Sequence, residues 1–180
     1  MRRPIRWRES PLERQRQVDA RDEAFDSLVA RQGDYIYRLS LAISGIDDAA
    51  DVAQDVLVTA WRKRDQLRDP ERERAWLSRI VVNAAIDRRR SSARRIVAVS
   101  LSDAGESLLP SIEAPLTPGF DAPLELAIRA LPIEQRAVIA LHYAADLPLE
   151  EVAVALGVPL GTAKSRLNTA LQRLRQALSA

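Results

Sequence analysis

Three sets of side chains in this 180-residue chain have types and spacings suited to chemistry, and all of it is recognition rather than bond-making. The first is Asp48, Asp51, Gln54, Asp55, Val58 and Arg62. At about 100° per residue these share one side of a helix. Carboxylates at i, i+3 and i+7 around an apolar Val58 make an acidic patch with a greasy centre. Such a face suits a basic, partly apolar protein partner. A metal site would need a fixed ligand geometry, which nothing here supplies. The second set is Arg72, Trp76, Arg79, Ile80, Asn83, Asp87 and Arg90, again on one helical face, leading into Arg88, Arg89, Arg90, Arg94 and Arg95. Amide, carboxylate and guanidinium groups are the side chains that read base edges. The basic run exceeds what a helix C-terminus needs and suits a polyanion. The third set is Thr162, Lys164, Ser165, Arg166, Asn168 and Arg173, the polar side of a helix whose other side is Leu160, Ala163, Leu167, Ala170, Leu171 and Leu174.

The elements that must position these sets are all helices. Leu149 to Leu156 is a short amphipathic run, Gly157 breaks it, and Pro159 pre-sets the next helix, running to about residue 175. Two helices joined by a glycine turn, the second basic on its outer side, read as a helix-turn-helix over 149–168. Short helices over 124–131 and 133–145 buttress it. His142 is read as a packing or surface residue. Upstream, Phe25, Leu28, Val29, Ile36, Leu39, Ala42 and Ile43 predict a helix over 22–44, with Gly33 as a break. Gly45 ends it, and Asp47 or Asp48 caps a helix over about 48–64. Asp69-Pro70 starts the next helix, over about 70–95, with Leu77, Val81, Ala84 and Ala85 as its core stripe.

Composition removes several function classes. The chain has no Cys and one His, so thiolate metal sites and His-based catalysis are excluded. No nucleophile, base and orienter can be assembled, so an enzyme with a small-molecule substrate is not expected, nor a cofactor or metal. No apolar run approaches 18 residues and no signal peptide is visible, which fits a cytoplasmic protein. The net charge of +2 is unevenly spread. Residues 1–96 hold 21 basic and 16 acidic side chains, while 97–123 hold four acids and no base. The expected layout is an Arg-rich arm (1–21, disordered or loosely helical), a helical module (22–96), an acidic Pro-containing linker (97–123) and a second helical module (124–180). The fold class is all-α, two small helical domains joined by a flexible linker.

Four motifs together resemble a known family. Asp48-Ala-Ala-Asp51-Val-Ala-Gln54-Asp55-Val56 with Ala60-Trp61-Arg62 resembles the polymerase-binding segment of bacterial sigma factors. Ala75-Trp76-Leu77-Ser78-Arg79-Ile80 through Asp87-Arg88-Arg89-Arg90 resembles their −10 helix. Leu131-Pro132-Ile133-Glu134-Gln135-Arg136 and Gly161-Thr162-Ala163-Lys164-Ser165-Arg166-Leu167 resemble their −35-binding domain. Order and spacing are similar to the extracytoplasmic-function (ECF) group of the sigma-70 family. Asp55 stands where that family more often has Glu, and Ala163 where it more often has Val.

The resemblance implies a promoter-specificity subunit with two domains, sigma region 2 and sigma region 4. Asp48, Asp51, Gln54, Asp55, Val58 and Arg62 would dock on core RNA polymerase. Arg72, Trp76, Arg79, Asn83, Asp87, Arg88 and Arg90 would engage the −10 promoter element, capturing a flipped base. Thr162, Lys164, Ser165, Arg166, Asn168 and Arg173 would enter the major groove at the −35 element. An anti-sigma factor is the further implied partner, one that can hold the chain at the membrane. The competing reading is a single-component helix-turn-helix regulator that acts without polymerase.

Overall fold

The computed structural model describes residues 11–67, 69–102 and 122–179, and every element among them is helical. The order is α1 (Pro11–Ser44), α2 (Ile46–Lys63), single 3₁₀ turns at Arg64–Gln66 and Pro70–Arg72, and α3 (Glu73–Ser102). Then come α4 (Ala122–Ala130), α5 (Ile133–Ile139) with a π turn at Ala140–Ala144, α6 (Leu149–Leu156) and α7 (Leu160–Leu178). The chain divides into two compact units, Met1–Asp34 and Tyr35–Ala180. Within the first, α1 starts at Pro11, where a proline without its N–H costs nothing. Residues 11–21 are thus helical, one of the two states expected for the arm; residues 1–10 lie outside the described residues. Gly33 does not break α1, because one glycine costs a helix only about 1 kcal/mol.

The second unit carries all three recognition sets. Gly45, at φ 83°, makes the corner between α1 and α2 and donates its N–H to Leu41 O at 2.9 Å. The N-cap of α2 is Gly45, with no side-chain cap; Asp47 and Asp48 sit in the first turn instead, where they oppose the positive end of the helix dipole. Ala49, Val52, Val56 and Ala60 are buried, the expected core side of α2. Asp69 is a true cap: its Oδ1 accepts from Glu71 N–H at 3.0 Å, and Pro70 follows as N1. That cap opens a 3₁₀ turn before α3 begins at Glu73.

Helix α3 is longer and more deeply packed than its sequence pattern indicates. It runs on to Ser102, into the first residues of the expected linker, whose residues 103–121 lie outside the described residues. It packs on α2 and also on α6, with a smaller contact to α5. Taking Leu77 as origin, Ile80, Val81, Val82 and Ala85 fall at about 300°, 40°, 140° and 80° around the helix. All five are buried. The buried arc is therefore about 200°, twice the stripe a one-sided surface helix needs. Ile80 was expected on the polar face and instead sits at the edge of this arc, 7% exposed.

Tyr35 ties the C-terminal part of α1 to α3. Ser78 Oγ donates its single proton to Arg74 O at 2.7 Å, so in the 2.6 Å contact with Tyr35 Oη the phenol is the donor. The Arg74 guanidinium lies 5.2 Å over the Tyr35 ring. Burial pushes the Tyr35 phenol above its ordinary value, opposed by the Arg74 charge.

In the C-terminal half, α7 packs on α4, α5 and α6. Ala163, Leu167, Ala170 and Leu174 are buried, as the stripe predicts. The α6–α7 turn is a Schellman cap. Gly157 is left-handed (φ 64°, ψ 35°), Val158 N–H reaches Ala153 O at 3.0 Å, and Gly157 N–H reaches Val154 O at 3.2 Å. His142 is structural: Nδ1 lies 2.9 Å from Leu147 O, across the π turn.

Two stability changes follow from this packing. A Cβ on Gly157 would meet nothing within 4 Å, so Gly157→Ala pays only the left-handed backbone cost. It should destabilise by about 1–2 kcal/mol in urea unfolding, with an unchanged circular dichroism spectrum. A phenol raised in the folded state contributes stability below its ordinary value near ~10, lost as pH rises through the folded value. Tyr35→Phe should therefore cost about 1 kcal/mol at neutral pH and flatten the alkaline fall in unfolding free energy, measured from pH ~8 to ~11.

Candidate protein and nucleic-acid interfaces

On α2 the structure brings the expected acidic face together. Asp51, Gln54, Asp55, Val58 and Arg62 are exposed, and Asp48 is half-buried at the edge. Val58 is 42% exposed, a large apolar side chain left among carboxylates. Two of the acids are already engaged. Arg88 Nε donates to Asp48 Oδ1 at 2.6 Å, and its Nη2 donates to Asp51 Oδ2. The guanidinium is held further above its ordinary value, first by the hydrogen bond to Asp48. Side-chain exposures of 32–56% keep each of these pairs worth less than about 1 kcal/mol. Asp55 has no such partner among the described residues and stands exposed on the same face as Val58.

The α3 face is split by the same geometry. Arg72, Arg79, Asn83, Asp87 and Arg90 are exposed, and Trp76 is half-buried with them. On the wheel they occupy about 200–280°, the arc left open by the double-sided burial. Arg90 and Asp87 make only a loose 4.0 Å pair, and Arg72 a 3.5 Å one with Asp69. Arg88 does not belong to this arc. It falls at about 20°, one heptad beyond Val81, and so continues the core stripe towards α2. Its partners Asp48 and Asp51 were expected to serve a different surface. The heptad spacing 81–88 was the signal that could have assigned Arg88 to α2.

The α2 and α3 faces meet in an open groove of about 480 Å³. Asp55, Val58 and Arg62 line one wall, and Asn83, Asp87 and Arg88 the other. A helix face of mixed charge with an apolar floor thus adjoins the exposed polar set of α3. Beside it, the Arg64 guanidinium stacks 3.8 Å over the Trp61 ring and stiffens the loop after α2.

On α7, Lys164, Ser165, Asn168 and Arg173 are exposed, while Thr162 and Arg166 are half-buried. The exposed set lies opposite Ala163, Leu167 and Ala170, so the recognition face is held by a packed core. Pro159 is the N-cap, and Thr162 N–H and Ala163 N–H both reach its carbonyl, at 2.9 and 3.1 Å. Arg173 Nη1 donates to Gln135 Oε1 at 3.1 Å, tying the later part of α7 back to α5. Among the described residues no group of three or more Asp, Glu or His could hold a metal ion, and no helix is long and apolar enough to cross a membrane.

Comparison with known proteins matches both halves to one family. The model of sigma-70 region 2 matches residues 28–95, and that of sigma-70 region 4 matches residues 122–174. The chain is 32% identical over 160 residues to the ECF RNA polymerase sigma factor SigE of Mycolicibacterium smegmatis, covering 87% of this chain and 62% of that protein. It is 38% identical over 133 residues to the ECF RNA polymerase sigma factor RpoE of Cereibacter sphaeroides, covering 73% and 72%. Among solved structures, the sigma factor RpoE of Bartonella quintana, in complex with the anti-sigma factor NepR, superposes with a TM-score of 0.71 at 28% identity. That likeness covers 88% of this chain and 98% of that one. The two family models together span most of the chain, and relatives of 32–38% identity carry the same family name: the chain belongs to the extracytoplasmic-function group of the sigma-70 family and is an alternative sigma factor.

Proposed function

We propose that the exposed α2 face, Asp48, Asp51, Gln54, Asp55, Val58 and Arg62, docks this sigma factor on core RNA polymerase. The open α3 arc then engages the −10 element, and the α7 face the −35 element. The observation that carries this reading is the separation of buried from exposed side chains on α2, α3 and α7. In each, a packed stripe fixes the helix and leaves one coherent recognition face. Trp76 is the one aromatic on the α3 face, which limits stacking support for melted bases and demands a well-matched promoter. The α3 and α7 contacts act together through effective concentration, so neither needs high affinity alone.

The chain supplies specificity and contact, and the chemistry of RNA synthesis belongs to the polymerase; the sigma factor is not itself an enzyme. It works in the cytoplasm, at the nucleoid when active. An anti-sigma factor is the further partner, supported by the likeness to the Bartonella quintana sigma factor solved with NepR. A stand-alone helix-turn-helix regulator has no use for a region-2 half, and the match over residues 28–95 weighs against that reading.

Asp55 is the cleanest test of docking, because Asp51 reversal would also unpair Arg88. Asp55→Lys should lower core-polymerase affinity at least tenfold in a pull-down or fluorescence titration, about 1.4 kcal/mol, with the folded spectrum kept. Unchanged core binding would remove the α2 face from the docking role. Arg166→Ala should cost about 1–3 kcal/mol and relax selectivity at one −35 position if the contact is bidentate to guanine. A uniform loss on every promoter sequence, with a salt slope smaller by about one, would instead make it a phosphate contact.

A further inference from the structure

Four arginines from three helices converge on one cavity that the promoter-recognition reading does not use. The cavity is about 300 Å³ and lies where the α1 C-terminus, α2 and α3 meet α4 and α5. Its walls include Ile43, Asp48, Arg88, Arg89, Arg129 and Arg136. Two of the guanidinia are neutralised inside the chain. Arg88 is held by Asp48 and Asp51, and Arg129 by Glu125 at 2.7 Å. The other two have no carboxylate partner among the described residues.

Arg136 is the more unusual of those two. Its guanidinium donates only to carbonyls: Ile43 O at 2.9 Å, Arg129 O at 2.7 Å and Leu131 O at 3.2 Å. Its Nε is buried without a partner. Carbonyl dipoles satisfy N–H groups but do not cancel a whole charge. Burial, with the charges of Arg89 and Arg129, lowers its affinity for its proton. Arg89 explains the geometry from the other wall. At about 120° on α3 it lies between Ala85 and Val82, so it leaves the helix on the side turned towards the C-terminal half. Its side chain is exposed and lines the cavity.

A desolvated guanidinium facing a second, unpaired one is a standing positive potential. A multivalent anion would remove it, and arginine forks match tetrahedral oxyanions well. A cavity of this volume holds about ten waters, enough for a diphosphate with some of its hydration. We infer that this cavity binds a compact oxyanion of the phosphate class, either free diphosphate or the diphosphate of a nucleotide, between the N-terminal and C-terminal helices of the second unit. Because both halves supply its guanidinia, the bound anion favours the arrangement in which α3 is packed against α5 and α6. The site goes beyond promoter recognition and does not depend on it.

The test is isothermal titration of the full chain with inorganic pyrophosphate and, in parallel, with a nucleoside diphosphate, at fixed ionic strength. One saturable site is expected, with a melting temperature that rises with ligand by mass action. Equal affinity for the two ligands assigns the site to the diphosphate alone, and tighter binding of the nucleotide assigns it to the nucleotide; either supports the inference. Arg89→Ala, an exposed change that should leave the fold intact, is expected to weaken binding about tenfold or more. Arg94→Ala, on the same helix and outside the cavity walls, should leave binding unchanged. No saturable binding by either ligand, or equal weakening by Arg89→Ala and Arg94→Ala, would overturn it. The readout needs neither polymerase nor promoter, so its failure leaves the docking and promoter assignments standing.

Discussion

The constraint on which the second unit depends is the burial of α3 on two sides. Leu77, Ile80, Val81, Val82 and Ala85 together cover a little over half of its circumference. One part of that arc serves α2 and another serves α6 and α5. What remains is a single strip, which holds Arg79, Asn83, Asp87 and Arg90, while the exposed Arg74 and Arg89 lie outside it. Packing therefore decides which of these polar side chains share one exposed face. At about 25 cal/mol per Å² of apolar surface removed from water, no surface hydrogen bond or ion pair competes with this burial in fixing the helix.

The same rotation dictates the electrostatics. Arg88 sits at the end of the stripe that faces α2, so it meets Asp48 and Asp51 rather than solvent. Arg89, the next residue, is turned by about 100° and faces the C-terminal helices. Two neighbouring arginines thus have unrelated surroundings. One is neutralised at the edge of the acidic α2 face, and the other has no carboxylate partner among the described residues and lies beside the buried Arg136. The acidic face of α2 is accordingly less acidic in the free chain than its sequence suggests. Asp55 carries the charge that stays fully available.

Much of this was legible in the sequence. The helix-turn-helix could be read from Gly157, Pro159 and the Ala163–Leu167–Ala170–Leu174 stripe, because a left-handed turn and a 3.6-residue period leave direct marks. The Asp69-Pro70 start of the α3 segment was legible for the same reason: a cap is local chemistry. The three exposed polar faces were legible because each is the complement of an apolar stripe. Harder to read was whatever depends on a second packing partner. Periodicity reports one buried face, so Val82 was passed over and Ile80 was given to the polar side. Arg136 was hidden because a guanidinium satisfied by helix-end carbonyls leaves no pattern of matching acids. The sequence leaves the arm disordered or loosely helical, and Pro11, well tolerated as the first residue of a helix, marks where the helix begins. The Gly45 cap was missed in favour of Asp47 or Asp48, since a glycine corner at φ 83° needs no side-chain hydrogen bond.

In the proposed function this chain works through polymerase, with the α3 and α7 faces used together on the promoter. The most direct measurement is run-off transcription with purified core RNA polymerase on a library of promoter fragments, with and without the chain. Discrete transcripts are expected that appear only with the chain and start downstream of paired −10 and −35 elements at one spacing. Tight, sequence-specific binding of the chain alone to DNA, with no association with core enzyme and no new transcripts, would contradict it.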